Sequence, residues 1–235
     1  INKIGIETTN YALIKEKLDI LKNQDLLPGI LKTCTLGYDG KGQFVINNNE
    51  EVDALEIEFN RKYILEKKIN LKKEISIIVT RFLNNDCLIF EPFENHHVNQ
   101  ILNKSIIPAD VSKDILEKAK QQAKLIAEKL DYIGTMCVEY FIDENNNLLV
   151  NEIAPRVHNS GHLTINAYNV SQFENHIRAV CNLEKIELKK VYNAEMINII
   201  GEDIKAYREK SWSKKEFFFD YLKKEIKKKR KMGHL

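Results

Sequence analysis

Two strand-like segments joined by a polar turn occupy residues 136–156, MCVEYFIDENNNLLVNEIAPR. Apolar and polar residues alternate on both sides of the turn, as they do in strands with one buried face, and the turn itself is rich in Asp and Asn. If Asp143 faces Leu148 in the resulting hairpin, then Glu139 lies directly opposite Glu152. Facing side chains on antiparallel strands are about 5 Å apart, a distance at which two like charges repel each other.

A divalent cation between the two carboxylates would stabilise this arrangement. Mg²⁺ is commonly bound by one or two carboxylates together with substrate phosphates. The hairpin therefore predicts a magnesium–nucleotide site with Glu139 and Glu152 as metal ligands. Two alternatives stay open at this point, namely an edge hairpin with two solvated glutamates and a strand pairing shifted by two residues.

A glycine-rich loop at residues 36–43, LGYDGKGQ, lies between two predicted strands. Its glycines allow backbone amides to approach an anion, and Lys41 adds a positive charge. The loop is not a Walker loop, because Gln43 stands where Lys-Ser or Lys-Thr should follow, and it lacks the glycine spacing of the dinucleotide fingerprint. We interpret it as a flap over phosphates, and the alternative is an ordinary glycine hairpin.

The length and composition of the chain limit its class. A chain of 235 residues can bury the core of one or two domains. A net charge of +2 with 30% charged residues favours neither nucleic acid nor a membrane as partner. The four cysteines form no Cys-x-x-Cys pair, which favours free thiols and a cytoplasmic location. No apolar run approaches the ~20 residues of a membrane span, no signal peptide is recognisable, and the start at Ile1 suggests a fragment or a processed chain.

The hydrophobic periodicity predicts a mixed α/β chain. Helices are expected over residues 9–26, 50–59, 111–130 and 171–183. Strands are expected, besides the hairpin, over residues 30–33, 43–46, 63–69, 74–81 and 87–93. The periodicity is less clear beyond residue 191, and the basic run 223–231 is interpreted as a solvated helix face in preference to a nucleic-acid site.

Polar side chains with chemical capability are concentrated in residues 151–162, NEIAPRVHNSGH, just beyond a predicted strand. Arg156 is suited to a bidentate grip on a planar anion such as bicarbonate. His158 and His162 have the spacing of a metal pair, but no third soft ligand accompanies them and the segment is predicted to be a loop. A second cluster, Asn95-His96-His97, is interpreted as decoration at a strand end.

Five motifs in this order resemble the 5-(carboxyamino)imidazole ribonucleotide synthases, a family of ATP-grasp enzymes of purine biosynthesis also called the ATPase subunit of phosphoribosylaminoimidazole carboxylase. They are GYDGKGQ at 37–43, NEIAPR at 151–156, HNSGH at 158–162, SQFE at 171–174 and RKMGH at 230–234. The resemblance implies an α/β (α+β) ATP-grasp fold. It implies a small lid subdomain over residues 1–71, a large antiparallel-sheet subdomain over 72–190, and a C-terminal subdomain over 191–235.

The resemblance also assigns roles to residues of this chain. It places Lys32 at the ATP phosphates, Glu74 at the ribose, His97 and Asn151 near the nucleotide, and both Glu139 and Glu152 at magnesium, with Glu152 also touching the nucleotide. The flap would comprise Gly37, Tyr38, Asp39, Gly40, Lys41, Gly42 and Gln43, and the adenine pocket Glu66, Lys67, Lys68 and Ile69. The implied catalytic residues are Arg156 and His158, which would handle bicarbonate and the ribonucleotide, and Lys231 at the substrate phosphate or carboxylated intermediate.

The implied reaction is the ATP- and bicarbonate-dependent carboxylation of 5-aminoimidazole ribonucleotide through carboxyphosphate, with ATP and Mg²⁺ as cofactors and a homodimer as the assembly of the full-length family. That family carries a further N-terminal domain of about a hundred residues, a usual domain size, which we expect to precede Ile1. Val157 stands where proline is usual, and Tyr221-Leu222-Lys223 where Tyr-Gly-Lys is usual. The alternatives are another ATP-grasp ligase, such as the formate-dependent glycinamide ribonucleotide transformylase or a biotin-carboxylase-like protein, a truncated nucleotide-binding module without catalysis, and, more distantly, a basic nucleic-acid-binding protein.

Overall fold

A computed structural model describes residues 1–35 and 42–235 of the chain. The chain divides into two units, Ile1–Leu71 and Lys72–Leu235, and each has a β-sheet of its own. Five residues of the expected flap lie outside the described residues, namely Gly37, Tyr38, Asp39, Gly40 and Lys41.

The described part of the first unit forms a four-stranded antiparallel sheet. Its strands are β1 (Tyr11–Ile14), β2 (Gly29–Thr33), β3 (Gln43–Ile46) and β4 (Tyr63–Lys67), in the order β1-β4-β2-β3. Its helices are α1 (Lys17–Lys22) and α2 (Asn49–Asp53), with 3-10 turns at Asn2–Ile4 and Gln24–Leu26. Ile14, Ile20, Leu31, Ile46 and Leu65 pack together as its core.

The helix predicted over residues 9–26 is wrong at its N-terminal half. Tyr11–Ile14 is instead a strand that pairs with β4 at the edge of the sheet, and its exposure alternates as an edge strand requires. Only Lys17–Lys22 is α-helical. The local helical spacing of leucines is overridden by sheet pairing.

The helix predicted over residues 50–59 is also too long, since α2 ends at Asp53. Leu55, Ile57 and Phe59 pack against the core at every second position. A spacing of two suits an extended segment and not a helix. Strand β4 likewise ends at Lys67, two residues before the predicted end.

The second unit is described in full and is built on a nine-stranded sheet. Its strands are β5 (Leu71–Arg81), β6 (Cys87–Ile89), β7 (Phe93–Val98), β8 (Ile101–Ile107), β9 (Gly134–Asp143), β10 (Leu148–Ala154), β11 (Ala194–Ile200), β12 (Phe219–Asp220) and β13 (Lys231–His234). They follow the order β10-β9-β5-β7-β8-β11-β13-β12, with β6 paired to β5. The helices are α3 (Lys113–Lys129), α4 (Thr164–Ala167), α5 (Gln172–Val180) and α6 (Asp203–Arg208), with a 3-10 helix at Asn159–Leu163. Across all described residues, no helix combines the length and apolarity that crossing a membrane requires.

The longest helix, α3, confirms the periodicity over residues 111–130 to within two residues at each end. The Ser112 hydroxyl accepts the backbone N–H of Ile115 and caps the helix. Ile115, Ala119, Ala123 and Ile126 form its buried stripe. Helix α5 begins one residue after the start of its predicted segment 171–183, with Ser171 as the cap, and ends at Val180, three residues before the predicted end.

The strand predicted over residues 87–93 is in fact two separate strands. Pro92 lies between β6 and β7, where it can donate no backbone hydrogen bond to a ladder. The polar cluster 95–97 therefore belongs to the middle of β7 and not to a strand end, and Asn95 is buried. Strand β8, which pairs with β7, was not predicted.

The C-terminal part of the chain continues the same sheet through β11 and β13. The solvated helix predicted over residues 223–231 is wrong, because this segment is irregular up to the start of β13. Ile226 packs beside the small core of Ile199, Ile204 and Met232 and holds the segment down. The subdomain boundary at residue 190 stays a prediction.

Leu222 offers a test of backbone strain. Its φ is +52°, a left-handed conformation that costs an L-residue about 1–2 kcal/mol, and its side chain is 79% exposed. Leu222→Gly should therefore raise the free energy of unfolding by about 0.5–1 kcal/mol, after the greater chain entropy of glycine is subtracted. Urea unfolding of both proteins measures this difference. The matched control is Leu83→Gly, at an exposed leucine without a positive φ, and an equal gain there would contradict the explanation.

Candidate active site

The β9–β10 hairpin brings Glu139 and Glu152 together as Cα partners, which confirms their predicted pairing. The predicted route to that pairing is wrong, because Leu148 faces Ile142 and not Asp143. The register shifts between Val150 and Glu152, where Asn151 is an extra residue in β10.

This bulge at Asn151 decides which face of the sheet carries Glu152. In a regular strand Val150 and Glu152 would share one face. Because the bulge inserts one residue, Val150 pairs with the buried Tyr140, whereas Glu152 pairs with Glu139. Neighbouring strand residues point to opposite faces, so the two carboxylates lie together on the face away from Tyr140. The hydroxyl of Tyr140 donates to Ala119 of α3 on the other side.

The electrostatics of Glu139 fit a cation between the carboxylates. Burial, followed by the negative charge of Glu152, raises the pKa of Glu139 to about 7, against the opposing positive charges of His97 and Lys231. A buried carboxylate next to a like charge is costly to ionise. Two oxygen donors that repel each other on one face are a donor set suited to a hard divalent ion such as Mg²⁺.

Glu74 and His97 form an ion pair on the adjacent strands β5 and β7, with 2.7 Å between His97 Nδ1 and Glu74 Oε2. Burial opposes a charge on His97, but the hydrogen bond and charge of Glu74, together with Glu139, outweigh it and raise the pKa of His97. The predicted ribose ligand is thus already paired with the predicted nucleotide-contacting histidine.

His158 lies beside Glu139, with 3.4 Å between His158 Nε2 and Glu139 Oε1. Burial, followed by the positive charges of Arg156 and Lys231, lowers the pKa of His158 to about 3, so that the ring is neutral at pH 7. Arg156 is exposed, and its guanidinium donates to the carbonyl of Val157 at 3.0 Å.

The side chain of Gln172, fully buried on α5, fixes the backbone at His158. Its Oε1 accepts the His158 N–H at 2.9 Å, and its Nε2 donates to the His158 carbonyl at 2.6 Å. Gly161 packs against the same amide, because a Cβ there would lie 2.5 Å from Gln172 Oε1. Residues 158–162, called the HNSGH loop below, were predicted to be a loop, but Asn159–Leu163 forms a 3-10 helix. The side chain of Gln172 on α5 holds its N-terminal end in place.

Lys231, the first residue of β13, completes this group. Its charge acts on His97, Glu139 and His158 alike, so it lies within electrostatic reach of all three. The second unit thus brings together the predicted site residues Glu74, His97, Glu139, Glu152, Arg156, His158 and Lys231, which act on one another electrostatically, with Asn151 at the bulge of the same hairpin.

Among the described residues, one cluster of three has metal-ligand spacing, namely Cys137, Glu139 and His158, with ligand atoms within 4.8 Å of one another. Cys137 is fully buried, and burial followed by the charge of Glu139 raises the pKa of its thiol. His158 Nδ1 is already occupied by Ser160 Oγ at 2.9 Å and by the Ser160 N–H at 3.4 Å. A metal binds the thiolate form of cysteine, which the raised pKa of Cys137 disfavours, so the two glutamates are favoured over the cysteine–histidine set as a metal site.

The predicted nucleotide residues of the first unit are described by themselves. Lys32 on β2 and Glu66 on β4 form an ion pair of 2.6 Å, and Gln43 faces Lys32 across β2 and β3. Gly42 has a φ of +76°, and a Cβ there would lie 2.7 Å from Thr33 Oγ1, so this position requires glycine. Lys67 ends β4, and Lys68 and Ile69 follow it.

A cluster around Tyr221 was missed from the sequence. The Tyr221 hydroxyl lies 2.9 Å from His162 Nδ1 and 2.8 Å from His234 Nδ1. Burial, followed by the charges of His234 and Lys231, lowers the pKa of His162 to about 4, and burial alone lowers the pKa of His234 to about 4. Both rings are neutral at pH 7, and one hydroxyl serves both by donating to one ring and accepting from the other.

We expect Tyr221→Phe to lower the free energy of unfolding by about 1–3 kcal/mol, because it leaves buried ring nitrogens of His162 and His234 without this partner. Chemical denaturation at pH 7 measures the change. Tyr192→Phe, at a tyrosine that is 57% exposed, is the control and should change stability by less than about 0.5 kcal/mol. Equal effects of both substitutions would contradict this role of the shared hydroxyl.

Buried serines near the site were also missed. Ser76 lies within β5 and Ser160 within the HNSGH loop, and both are fully buried and bonded to each other at 2.8 Å. A serine in the middle of an otherwise apolar strand was the available sequence signal for Ser76.

Comparison with known proteins places this fold. A sequence model of the ATP-grasp domain matches residues 1–173. The chain belongs to the ATP-grasp family. A second model, of the phosphoribosylaminoimidazole carboxylase C-terminal domain, matches residues 194–235 of this ATP-grasp chain. The fold expected from the five motifs is confirmed.

The resemblance to the synthases is confirmed as well. The ATP-grasp chain is 43% identical over 239 residues to N5-carboxyaminoimidazole ribonucleotide synthase of Bacillus subtilis (strain 168), an alignment that covers 100% of the chain and 63% of the relative. The chain thus spans less than two thirds of that protein's length.

Two solved structures extend the comparison. The N5-carboxyaminoimidazole synthetase of Staphylococcus aureus complexed with ADP matches with a TM-score of 0.90 at 40% identity, covering 99% of this chain and 63% of that one. The synthase of Aspergillus clavatus in complex with ADP and 5-aminoimidazole ribonucleotide matches with a TM-score of 0.88 at 29% identity, covering 99% and 64%.

Proposed function

We propose that this chain is the ATP-grasp part of an N5-carboxyaminoimidazole ribonucleotide synthase, which carboxylates 5-aminoimidazole ribonucleotide with ATP and bicarbonate. The observation that carries the proposal is the bulged hairpin, which sets Glu139 beside Glu152 and adjoins the loop of Arg156 and His158. Relatives of this chain hold ADP, and one of them holds ADP with the ribonucleotide.

The proposed nucleotide contacts are assigned to the residues of each unit by itself. The first unit, as a lid subdomain over residues 1–71, supplies Lys32, the glycine loop and the segment 66–69. The second supplies Glu74, His97 and Asn151 from the large subdomain over 72–190, with Lys231 from the C-terminal subdomain over 191–235. The ion pairs that Lys32 and Glu74 now make would exchange for phosphate and ribose contacts.

Mg²⁺ fits the two facing carboxylates, so Glu139 and Glu152 are the residues that would hold it. When bound, it lends positive charge to the transferring phosphoryl group. The high pKa of Glu139 supports this role. Burial and the charge of Glu152 disfavour the ionised form of the Glu139 carboxyl, and a bound cation would favour it.

The chain's own cationic and polar groups would handle the substrates. Arg156 would grip bicarbonate in two hydrogen bonds as a bicarbonate oxygen attacks the γ-phosphorus of ATP and the bond to ADP breaks. The exocyclic amine of the ribonucleotide then attacks the carbonyl carbon of carboxyphosphate, the bond between that carbon and the phosphate oxygen breaks, and phosphate leaves with the proton that the amine gives up. Lys231 would offset the negative charge of the substrate phosphate or of the carboxylated intermediate.

The HNSGH loop carries a further sign of a ligand site. Both polar side-chain atoms of Asn159 are buried without a hydrogen-bond partner within the described part of the chain. Buried amides are normally satisfied, so a substrate at this loop would supply the missing partner. All four cysteines are free, as is usual for cytoplasmic enzymes, and we expect the homodimer that the full-length family forms.

Phosphate release from Mg-ATP and bicarbonate, measured with and without 5-aminoimidazole ribonucleotide, tests the proposal. The expected result is release that requires the ribonucleotide and is lost in Glu152→Ala. The control Glu144→Ala, in the exposed turn of the same hairpin, should behave like the parent. Phosphate release that does not depend on 5-aminoimidazole ribonucleotide, or that depends on formate and glycinamide ribonucleotide instead, would contradict the proposed function.

A second candidate is a nucleotide-binding module without catalysis, because a solved relative is complexed with ADP. ADP binding without any phosphate release would favour this second function over the first.

A further inference from the structure

Four buried polar side chains of the second unit connect the middle of the sheet to His158. Ser105 Oγ donates to Asn95 Oδ1 at 2.8 Å, and Asn95 Nδ2 donates to Ser76 Oγ at 2.9 Å. Ser76 Oγ donates to Ser160 Oγ at 2.8 Å. Each of these four side chains is at most 5% exposed, so water does not compete for the bonds.

All the donors in this series of hydrogen bonds point from Ser105 toward His158. An amide nitrogen can only donate, and a hydroxyl has a single proton to give. Asn95 Nδ2 donates to Ser76 Oγ, and the Ser76 hydroxyl donates its own proton to Ser160 Oγ. Ser160 in turn has its own proton for His158 Nδ1, which lies 2.9 Å away.

A backbone group reinforces this direction. The Ser160 N–H also points at His158 Nδ1, at 3.4 Å, where His158 caps the 3-10 helix Asn159–Leu163. A backbone N–H cannot act as an acceptor. Nδ1 must therefore present its lone pair, and the one proton of the neutral ring is on Nε2.

We propose that Ser160, Ser76 and Asn95 are positioning residues that hold His158 as its Nε2–H tautomer. Nε2 faces Glu139 Oε1 at 3.4 Å, longer than the ~2.9 Å of a good N–H···O hydrogen bond. The N–H is thus aimed at the carboxylate face without a tight bond to it. The next step rests on the proposed function. The Nε2–H tautomer makes His158 a hydrogen-bond donor to an anionic oxygen of the substrate, and not a base at Nε2.

The tautomer can be measured directly. Two-dimensional ¹H–¹⁵N spectra of the full chain with ¹⁵N-labelled histidine, recorded through two- and three-bond couplings at pH 7.5, distinguish the two neutral forms of each ring. His158→Gln assigns the His158 signals by their loss. The expected result is a protonated Nε2 and an unprotonated Nδ1, and a protonated Nδ1 would overturn the proposal.

Substitutions test whether the serines set the tautomer. Ser160→Ala should raise the Nδ1–H population about fivefold, the change that a lost hydrogen bond of about 1 kcal/mol produces, and Ser76→Ala should shift it in the same direction. The matched control is Ser105→Ala, which removes an equally buried hydroxyl of the same chain but leaves the donors to His158 in place. Equal shifts in all three variants, or no shift in Ser160→Ala and Ser76→Ala, would overturn the positioning role.

The spectra need no turnover, so the two proposals fail separately. A His158 Nε2–H tautomer in a chain that is inactive with the ribonucleotide would count against the proposed function alone. Ribonucleotide-dependent release with a protonated Nδ1 would count against the positioning proposal alone.

Discussion

Replacing Glu139 with Gln should stabilise the folded chain at pH 8 by about 3 kcal/mol. The pKa of Glu139 is about 7 in the folded chain, against an ordinary value of 4.5, and each unit of difference is worth about 1.4 kcal/mol. The cause is burial, followed by the negative charge of Glu152. The glutamine keeps the shape of the side chain and removes the charge that the fold disfavours.

The pH dependence gives this prediction its sign. Between pH 4.5 and 7 the folded chain binds the Glu139 proton more tightly than the unfolded chain does, so its contribution to stability falls as the pH rises. At pH 5 Glu139 is protonated in the fold, and Glu139→Gln should then differ little from the parent. Urea unfolding at both pH values measures the difference.

The exposed turn residue Glu144 supplies the control, since Glu144→Gln should leave stability within about 0.5 kcal/mol of the parent at either pH. A Glu139→Gln variant that is less stable than the parent at pH 8 would contradict the account. So would a gain that is the same at pH 5 and pH 8, because the charge would then not be its source.

Gln172→Ala should destabilise the second unit by about 3 kcal/mol. The Gln172 side chain is fully buried and bonds both the N–H and the carbonyl of His158. Its removal leaves two backbone groups without this partner, each worth about 1–3 kcal/mol, and opens a cavity beside Gly161. Thermal or urea unfolding measures the loss, and faster proteolysis within residues 158–163 locates it.

The control for this prediction is Gln121→Ala, at an exposed position of α3, where alanine should cost less than about 0.5 kcal/mol. If Gln172→Ala is as mild as Gln121→Ala, the HNSGH loop does not depend on this amide for its conformation.

The sequence predicted the right partners in the hairpin for an incomplete reason. Apolar and polar residues alternate regularly through Val150-Asn151-Glu152, so this pattern does not predict a bulge at Asn151. An unbroken pairing in the predicted register, with Asp143 opposite Leu148, would also have placed Glu152 opposite Glu139, but on the same face as Leu148 and Val150. The observed bulge separates the apolar residues from the carboxylate, which composition alone cannot reveal.

Other errors have the same physical origin, namely pairing across the sheet. Residues 11–14 have helical spacing of their apolar residues, yet they form β1 because β4 offers them a partner. Strands with strong alternation and helices with clear caps, such as α3 behind Ser112, were predictable because their signals are local.

The sequence offers a signal for the burial of Ser76 but none for the connection of the buried polar side chains to one another. Ser76, Asn95 and Ser160 are far apart in sequence and meet only because β5, β7 and the HNSGH loop are packed together. Asn95 was interpreted as decoration at a strand end, since its burial depends on β8, a strand that was not predicted.

The measurement that tests the central claim most directly is calorimetric titration of ADP with and without Mg²⁺ at pH 8, into the parent chain, Glu139→Gln, Glu152→Gln and the control Glu144→Gln. The account predicts that Mg²⁺ strengthens ADP binding in the parent and in Glu144→Gln, and that this enhancement is lost when either facing glutamate is neutralised. The account would be contradicted if Mg²⁺ still strengthened ADP binding in both Glu139→Gln and Glu152→Gln. It would also be contradicted if Mg²⁺ did not change the affinity of the parent chain for ADP.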